Sequence, residues 1–519
     1  MTIQANPKTT VNIVSALTTV ANQAQKVLFI GQKVAAGTAT AGELQQNIQN
    51  DNSWDTLFGA NSQIAAMIRA ARLLNDVTQF DAIALDDNGS GVDATGTITV
   101  VGTATEAGEL FVTIGSEQNH KLSVAVASGD DQTAVADSIT AAVTADATRN
   151  PTSAANTLGV VTLTAINAGT YGNTLGLEVT GSVGGITTSI VAMASGATDP
   201  VLTGVFDVVG NTRYQGVAWP YADDTSEVRT FLDARFNVDN DILDGVAFTS
   251  KTDTLSNLLS TYGALNSQSL LVDGDKTISE TNFKGPSVFE IPAVKASITA
   301  SLRGRRLTDG ASIADIVISR TGGLDAFGGP ALASKPYFNT PLSIIPVTRN
   351  GRGWTQTEIG QLNGVTGGVS TMGNNRAGNQ IILGGMVTTY KTDTAGNPDV
   401  SFKFLNFVDT ASNAREYFSN NLRTIYAQSR LTNGDLVAGR DIANQGAIEA
   451  TLIGLFADLT SPDFVLTEAG EAARSQFIEN LIVALDIANG KVTIDMETPL
   501  VTQLREFLAT MRITFSTEG

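Results

Sequence analysis

Glycines, a lone histidine and paired carboxylates are the residues here whose types could do chemistry. In the stretch AINAGTYGNTLGLEV, Ala165 to Val179, Gly169, Gly172 and Gly176 punctuate what reads as strand, turn and strand. A glycine-rich turn after a strand is how dinucleotide sites cradle a phosphate. The spacing here is G-x-x-G-x-x-x-G rather than G-x-G-x-x-G, and the turn leads into a strand. A phosphate loop must instead open a helix, whose N-terminal N–H groups meet the anion. GQKVAAGT, from Gly31, has five residues between its glycines and no Lys-Ser/Thr pair after the second, so it is no P-loop. The three glycines are assigned to turn geometry, where positive φ is easy for glycine.

The single histidine, His120, lies in NHKLSV and reads as the start of a strand. One histidine and no cysteine exclude thiol nucleophiles, disulfides and Cys-ligated zinc, and argue against histidine-rich metal sites. Carboxylates cluster at Asp86-Asp87, Asp130-Asp131, Asp223-Asp224 and Asp239/Asp241/Asp244. The last group lacks the D-x-[DN]-x-[DN]-G loop and closing Glu of a calcium site. All are read as turns and helix caps, and no titratable pair stands out as an acid/base couple. The expectation is no enzyme, no metal and no cofactor.

The chain has 519 residues, too many for one core, so two to four domains are expected. Hydrophobic residues make up 42% and charged residues 16%, with 50 glycines, a foldable composition rich in turns. A net charge of −19 opposes binding to DNA or anionic lipid. The one basic run, RGRR from Arg303 to Arg306, reads as a solvated helix or turn end. The start MTIQANPKTT shows no secretory signal pattern, and no apolar run approaches the about 18 residues that span a bilayer. The absence of cysteine fits assembly in a reducing cytosol.

The elements that position these residues begin with KVLFIGQK as a strand and NSQIAAMIRAARLLNDV as a helix. Ile64, Met67, Ile68, Ala71 and Leu74 give the helical spacing and Ser62 the N-cap. FDAIALDD follows as a strand, completing a parallel α/β unit. From residue 88 to 200 the basic residues are Lys121 and Arg149 and the aromatics Phe111 and Tyr171. Alternating strands (GTITVVGTA, GELFVTIG, KLSVAVASG, GVVTLTAI, LGLEVTG, TTSIVAMA) and one helix, DQTAVADSITAAVTAD, suggest a small sandwich with one solvated face. The α/β pattern resumes at YQGVAWPYADDTSEVRTFLDARF and runs through DGVAFTS, KTDTLSNLLSTYGALN, QSLLVDG, AVKASITASLRGRR and GASIADIVI. A Pro/Gly-rich stretch, GGPALASKPYFNTPL, marks a boundary.

Beyond it, Thr355 and Glu358 have capping-box spacing. QIILGGMVTTYKTD reads as a strand, and VSFKFLNFVDTASNAREYFSNNL as a strand and a long helix. NQGAIEATLIGLFADL puts Ile448, Leu452, Leu455 and Leu459 on one helical face, and Asn489-Gly490 signals a hairpin. At the end, Met511, Ile513 and Phe515 alternate with Arg512 and Thr514 as an unpartnered strand. A terminal strand with an open edge is a template for another chain, and its alternation fixes the register. Val11, Ile13 and Val14 among threonines give a weaker counterpart. These residues of the two arms are the predicted subunit contacts.

The expected fold class is therefore multidomain α/β and α+β. A split α/β domain (21–87 and 201–345) carries a β-rich insert (88–200). An α+β domain follows (346–505), with arms at 1–20 and 506–519.

In order and spacing, the strands of the insert from GTITVVGTA to LGLEV resemble the β-insert of Mu-like contractile tail sheath proteins. GWTQTEIGQLN, TTYKTDTAGNPDVSFKFLNFVDT and VTIDMETPLVTQLREFLATMRITF resemble that family's C-terminal domain. The resemblance spans residue 25 to the end and rests on the ordered series rather than one diagnostic motif. It implies a structural polymer of the virion tail, assembled in the host bacterial cytoplasm. Subunits would stack as hexameric rings or a helix around a tube that contraction drives through a cell envelope. The C-terminal domain would face the tail tube protein, the insert would point outward, and the arms would add strands to neighbours. Partners implied are further copies, the tube, and baseplate and tail terminator proteins, with no direct nucleic acid and no membrane insertion. With no nucleotide site, contraction energy would be stored at assembly. The same reading covers a tailocin or other contractile injection system; a different class is a β-rich surface or adhesion protein.

Overall fold

The computed structural model describes residues 25–500, apart from 117–119, 147–149, 237–242, 309–336, 338–339, 343, 349–351, 375–377, 379–380, 437–440 and 461–469. The arm residues Val11, Ile13, Val14, Met511, Arg512, Ile513, Thr514 and Phe515 lie outside the described residues, as does GASIADIVI.

Among the described residues the first element is β1 (Lys26–Gln32), whose run VLFIGQ is buried throughout, as a strand covered on both faces requires. β2 (Leu44–Gln45), α1 (Ser53–Phe58), α2 (Gln63–Leu74) and β3 (Gln79–Leu85) follow. Ser62 caps α2, accepting the Ala65 N–H, and Ile64, Met67, Ile68, Ala71 and Leu74 are buried as their spacing predicts. The β-rich stretch holds β4 (Thr95–Gly102), β5 (Gly108–Ile114), β6 (Lys121–Val126), α3 (Gln132–Ala145), β7 (Thr152–Thr157), β8 (Val160–Ala165), β9 (Leu177–Thr180) and β10 (Ile186–Ala194). Then come β11 (Gly216–Ala218), α4 (Ser226–Arg235), β12 (Val246–Asp253), α5 (Leu255–Tyr262), β13 (Leu270–Glu280), β14 (Phe283–Pro286) and α6 (Pro292–Thr308). The last part contains α7 (Gln356–Leu362), β15 (Met372–Asn374), β16 (Ile381–Leu383), α8 (Leu405–Tyr426), β17 (Arg430–Leu431), β18 (Ile442–Ala443), α9 (Gln445–Leu459), α10 (Glu471–Glu479), β19 (Ile482–Asp486) and β20 (Lys491–Asp495). The chain is a mixed α/β structure with several sheets.

Strands β3-β1-β11-β12-β13 are parallel neighbours, so the strands before and after the β4–β10 segment share one sheet. The sheet does not stop there. β13 pairs with β12 through Lys276, and from Thr277 onward it pairs antiparallel with β14. β14, β9, β5 and β6 then extend it to ten strands. A second sheet, β10-β4-β8-β7, turns Ile98, Val100, Val161, Leu163 and Ile190 inward. One apolar cluster runs without a break from Val27 and Met67 to Ile98, Leu110 and Val161. The β-rich segment thus shares the core of the parallel sheet.

α6 is the central helix. Residues Ala293 to Leu302 are all buried, apolar and polar alike. The RGRR run at its end is not solvated: Arg303, Arg305 and Arg306 are buried too. A charge run is exposed only where no partner is brought to it, and here α8, α2 and Tyr337 supply partners. VSFKF, residues 400–404, is not a strand; it forms turns with one bridge, Phe404 to Val387. The strand expected in QIILGGMVTTYKTD is confined to Ile381–Leu383 and stops at Gly384, where a Cβ would sit 2.7 Å from the Thr371 carbonyl. The capping box is formed: Thr355 Oγ1 accepts the Glu358 N–H and the Glu358 carboxylate accepts the Thr355 N–H. A separate cluster around Phe418, Phe456 and Phe477 holds α8, α9, α10 and the β19–β20 hairpin together.

Candidate functional site

In the order β3-β1-β11, the chain places β3 on one side of β1 and β11 on the other. Ligands of open α/β sheets bind in the crevice outside the strand ends at such a switch point. Here the chain itself fills it. Gln32 ends β1, Asp87 follows β3, Gln63 opens α2, and the turn from Ile166 to Thr170 descends among them. The Gln63 N–H, one of the first-turn donors a helix leaves unpaired, points at Asn167 Oδ1, 2.9 Å away. That carboxamide oxygen stands where a phosphate oxygen would stand in a nucleotide site. Asn167 Nδ2 donates to the Lys33 carbonyl (3.0 Å) and Asp87 Oδ1 (3.1 Å). Gln32 Nε2 donates to Asp87 Oδ1 and to the Ala168 carbonyl, both at 2.6 Å. Gln32, Gln63 and Asn167 are buried.

Two carboxylates clamp the same turn where the β-rich segment leaves and rejoins the parallel sheet. Asp87 Oδ2 accepts the Ala168 N–H at 3.1 Å, and Asp199 accepts the Thr170 N–H (2.6 Å) and hydroxyl (2.7 Å). The turn geometry expected of the glycines holds at Gly169, whose φ is 98°. Gly172 and Gly176 have another reason to be glycine. A Cβ would lie 2.6 Å from Ala165 Cβ at the first and 2.6 Å from Phe289 Cε2 at the second. Chemically the arrangement fixes one part of the chain to another.

A buried charge cluster reinforces the joint. Lys295 Nζ on α6 lies 2.6 Å from Asp275 and 3.6 Å from Asp273, both on β13. Ser250 Oγ donates to Asp273 at 3.2 Å, and Ser287 Oγ donates to Asp275. Glu290 accepts from Ser116 Oγ at 2.9 Å, just after β5, and from the Ile291 N–H at 3.0 Å. Burial pushes the Glu290 carboxyl up to about 7 against the pull of those donors. Burial also raises Asp273 to about 6; Lys295 opposes the rise and the neighbouring Asp275 adds to it. Sequence reading missed this cluster, which is assembled from distant positions. The one signal was Asp273 and Asp275, two apart on an apolar strand and so on one face.

A second group ties the parallel sheet to α8. Arg213 reaches Asp244 (3.2 Å) and Glu416 (2.7 Å), Arg415 reaches Asp244 (2.8 Å), and Ser412 Oγ donates to Asp244 at 2.5 Å. Burial pushes Asp244 up, but the two arginines outweigh it and hold the carboxyl below its ordinary value. Arg303 Nε donates to Asp409 at 2.8 Å, and Arg305 donates to the Leu74 carbonyl (2.9 Å) and Asp76 (2.7 Å). The turn-and-cap reading fits Asp131, which caps α3, and Asp224, which binds Ser226. It fails for Asp244 and Asp87; Asp239 and Asp241 lie outside the described residues. His120 is buried, its Nδ1 2.9 Å from Asp146.

Between the short 3-10 helix Thr170–Thr174 and the ends of β12 and β13 lies a cavity of about 340 Å³. Its charged lining is already engaged: Lys251 with Asp223 and Lys284 with Ser279. Among the described residues no group of three or more His, Cys, Asp or Glu could hold a metal, and no helix is long and apolar enough to cross a membrane.

No family model matches the chain. It is 26% identical over 490 residues to the Mu-like prophage FluMu tail sheath protein of Haemophilus influenzae, covering 92% of this chain and 91% of that one. The resemblance read from the ordered motifs is thus met by a relative along nearly the whole length. Among solved structures, the sheath tail protein from Listeria innocua is 12% identical with a TM-score of 0.45, over 93% of each chain. The helical sheath of the anti-feeding prophage in its contracted state is 12% identical with a TM-score of 0.45, over 99% of this chain and 100% of that one. Likeness at that level carries no conclusion about function.

Proposed function

We propose that this chain is the structural subunit of a contractile tail sheath, which polymerises around a tail tube and contracts to drive it through a cell envelope. The observation that carries the reading is the 26% identity to a tail sheath protein across 92% of the chain. In this reading the parallel sheet and α6 form the body, residues 88–200 the outward insert, and residues 346–505 the part that faces the tube. Residues 1–20 and 506–519 are the exchanged arms, with Val11, Ile13, Val14 and Met511 to Phe515 pairing with neighbours. The β19–β20 hairpin is a fitting acceptor. Among the described residues its strands pair only with each other, and Ile482 is 61% exposed.

The filled crevice supports a machine that hydrolyses no nucleotide, so the work of contraction comes from free energy stored when the extended array assembles. Baseplate and terminator proteins cap the two ends, and the particle is built in the bacterial cytoplasm before release in the virion tail. Electron microscopy of the purified full chain tests the reading. Long hollow cylinders are expected; a preparation that stays monodisperse under all assembly conditions contradicts it.

A further inference from the structure

The outer face of the β10-β4-β8-β7 sheet carries no charged side chain. Register aligns its outward side chains in rows: Val191, Thr97, Thr162 and Ala155, then Ser189, Thr99, Val160 and Thr157. Thr187 and Val101 begin a further row. The face thus holds Thr, Ser, Val and Ala alone, in a chain of net charge −19. Val101 is 53% exposed and Val191 62%. At the same end, the two-residue loop joining β7 to β8 exposes Leu158 to 78%.

Leu158 is also in the wrong backbone for its type. Its φ is +51° and that of Gly159 is +87°, the pattern of a type I′ hairpin turn. Such turns are normally Asn-Gly, because the left-handed region brings Cβ against the following carbonyl in other residues. A leucine held there, strained and wet, gains nothing for the isolated chain. Outliers of this kind persist where the side chain serves a contact. β7 (TSAANT) is moreover an edge strand with no charge, proline or bulge to guard it.

We infer that this face, anchored by Leu158 and Val101, contacts a second copy of this chain in the assembled polymer. The inference rests on the polymer proposed above. Charge selects the occupant. Strongly acidic copies repel each other, a face without charge is where that repulsion is least, and depletion of charge is the compositional mark of an interface centre. Nucleic acid and anionic membrane require Lys and Arg, and a glycan requires aromatic platforms; the face has neither. In a polymer the neighbouring copy is also always present at high effective concentration.

Two variants of the full chain test it, Val101→Lys/Val191→Lys and Leu158→Asn, by thermal melting and by pelleting with electron microscopy. The double variant should fold like the wild type and need about tenfold more protein to assemble, a loss of about 1.4 kcal/mol. Leu158→Asn, which suits the turn, should melt higher and yet assemble less. Both variants pelleting at the wild-type concentration overturns the inference, as does normal assembly coupled to lost adherence to cells, which would assign the face to another partner. A wild-type chain that never pellets overturns the polymer reading and this inference together, whereas normal wild-type cylinders with unaffected variants overturn this inference alone.

Discussion

At the scale of single residues, Glu290 shows how placement rather than type sets behaviour. Its carboxyl is buried between Ser116 and the start of α6, with Lys295 engaged elsewhere by Asp275. A carboxyl raised on folding holds its proton more tightly in the folded state than in the unfolded one. Its stabilisation is intact below the unfolded value and is lost as pH rises through the folded one. For Glu290 that window runs from its ordinary 4.5 to about 7. Glu290→Gln removes the buried charge while keeping the shape. The variant should melt higher than the wild type at about pH 8 and equally at about pH 4, the gap opening between them. A gap that does not change with pH would show that Glu290 is not the titrating group. No pattern in the sequence announces this residue. A glutamate beside Ile291-Pro292 reads as surface until the fold closes over it.

At the scale of elements, local signals were legible and long-range ones were not. The Ser62 cap, the Thr355–Glu358 capping box and the Asn489-Gly490 hairpin depend on residues within four positions of each other, and each formed as read. The apolar period of α2 and the alternation of β4 and β8 likewise report which face is buried. Alternation says nothing about which strand lies alongside. β14 follows β13 in a tight hairpin, but its other neighbour, β9, lies about a hundred residues away, and that pairing makes one sheet where a separate sandwich is expected. RGRR misled for the same reason, since Asp409 arrives from another part of the chain. The glycines of the opening stretch were assigned to a turn, and only Gly169 has the φ that assignment needs. Asn167, two residues before Gly169, carries the joint although no spacing signal marks it. Asn167→Ala leaves the Gln63 N–H, the Lys33 carbonyl and Asp87 short of a partner. It should cost about 1–3 kcal/mol in denaturant unfolding. A loss below about 0.5 kcal/mol, the scale of an ordinary surface change, would mean the joint is held elsewhere.

At the scale of the whole molecule, the described parts form a well-tied body. A shared core and the Ser116–Glu290 hydrogen bond join the parallel sheet to the β-rich segment, and buried ion pairs join it to α8. On the proposed reading, a subunit so tied would move as a rigid body in an array, with the chain ends keeping copies connected. In the same reading, a net −19 discourages casual association, so assembly would run through specific strand pairing and the uncharged face of the β-rich segment. The central claim is that neighbours are linked through the terminal strand. The most direct test compares the full chain with one ending at residue 505, by electron microscopy under identical assembly conditions. The account predicts hollow cylinders from the full chain and soluble, folded subunits that form none from the truncated one. Cylinders of normal length from the truncated chain would contradict it.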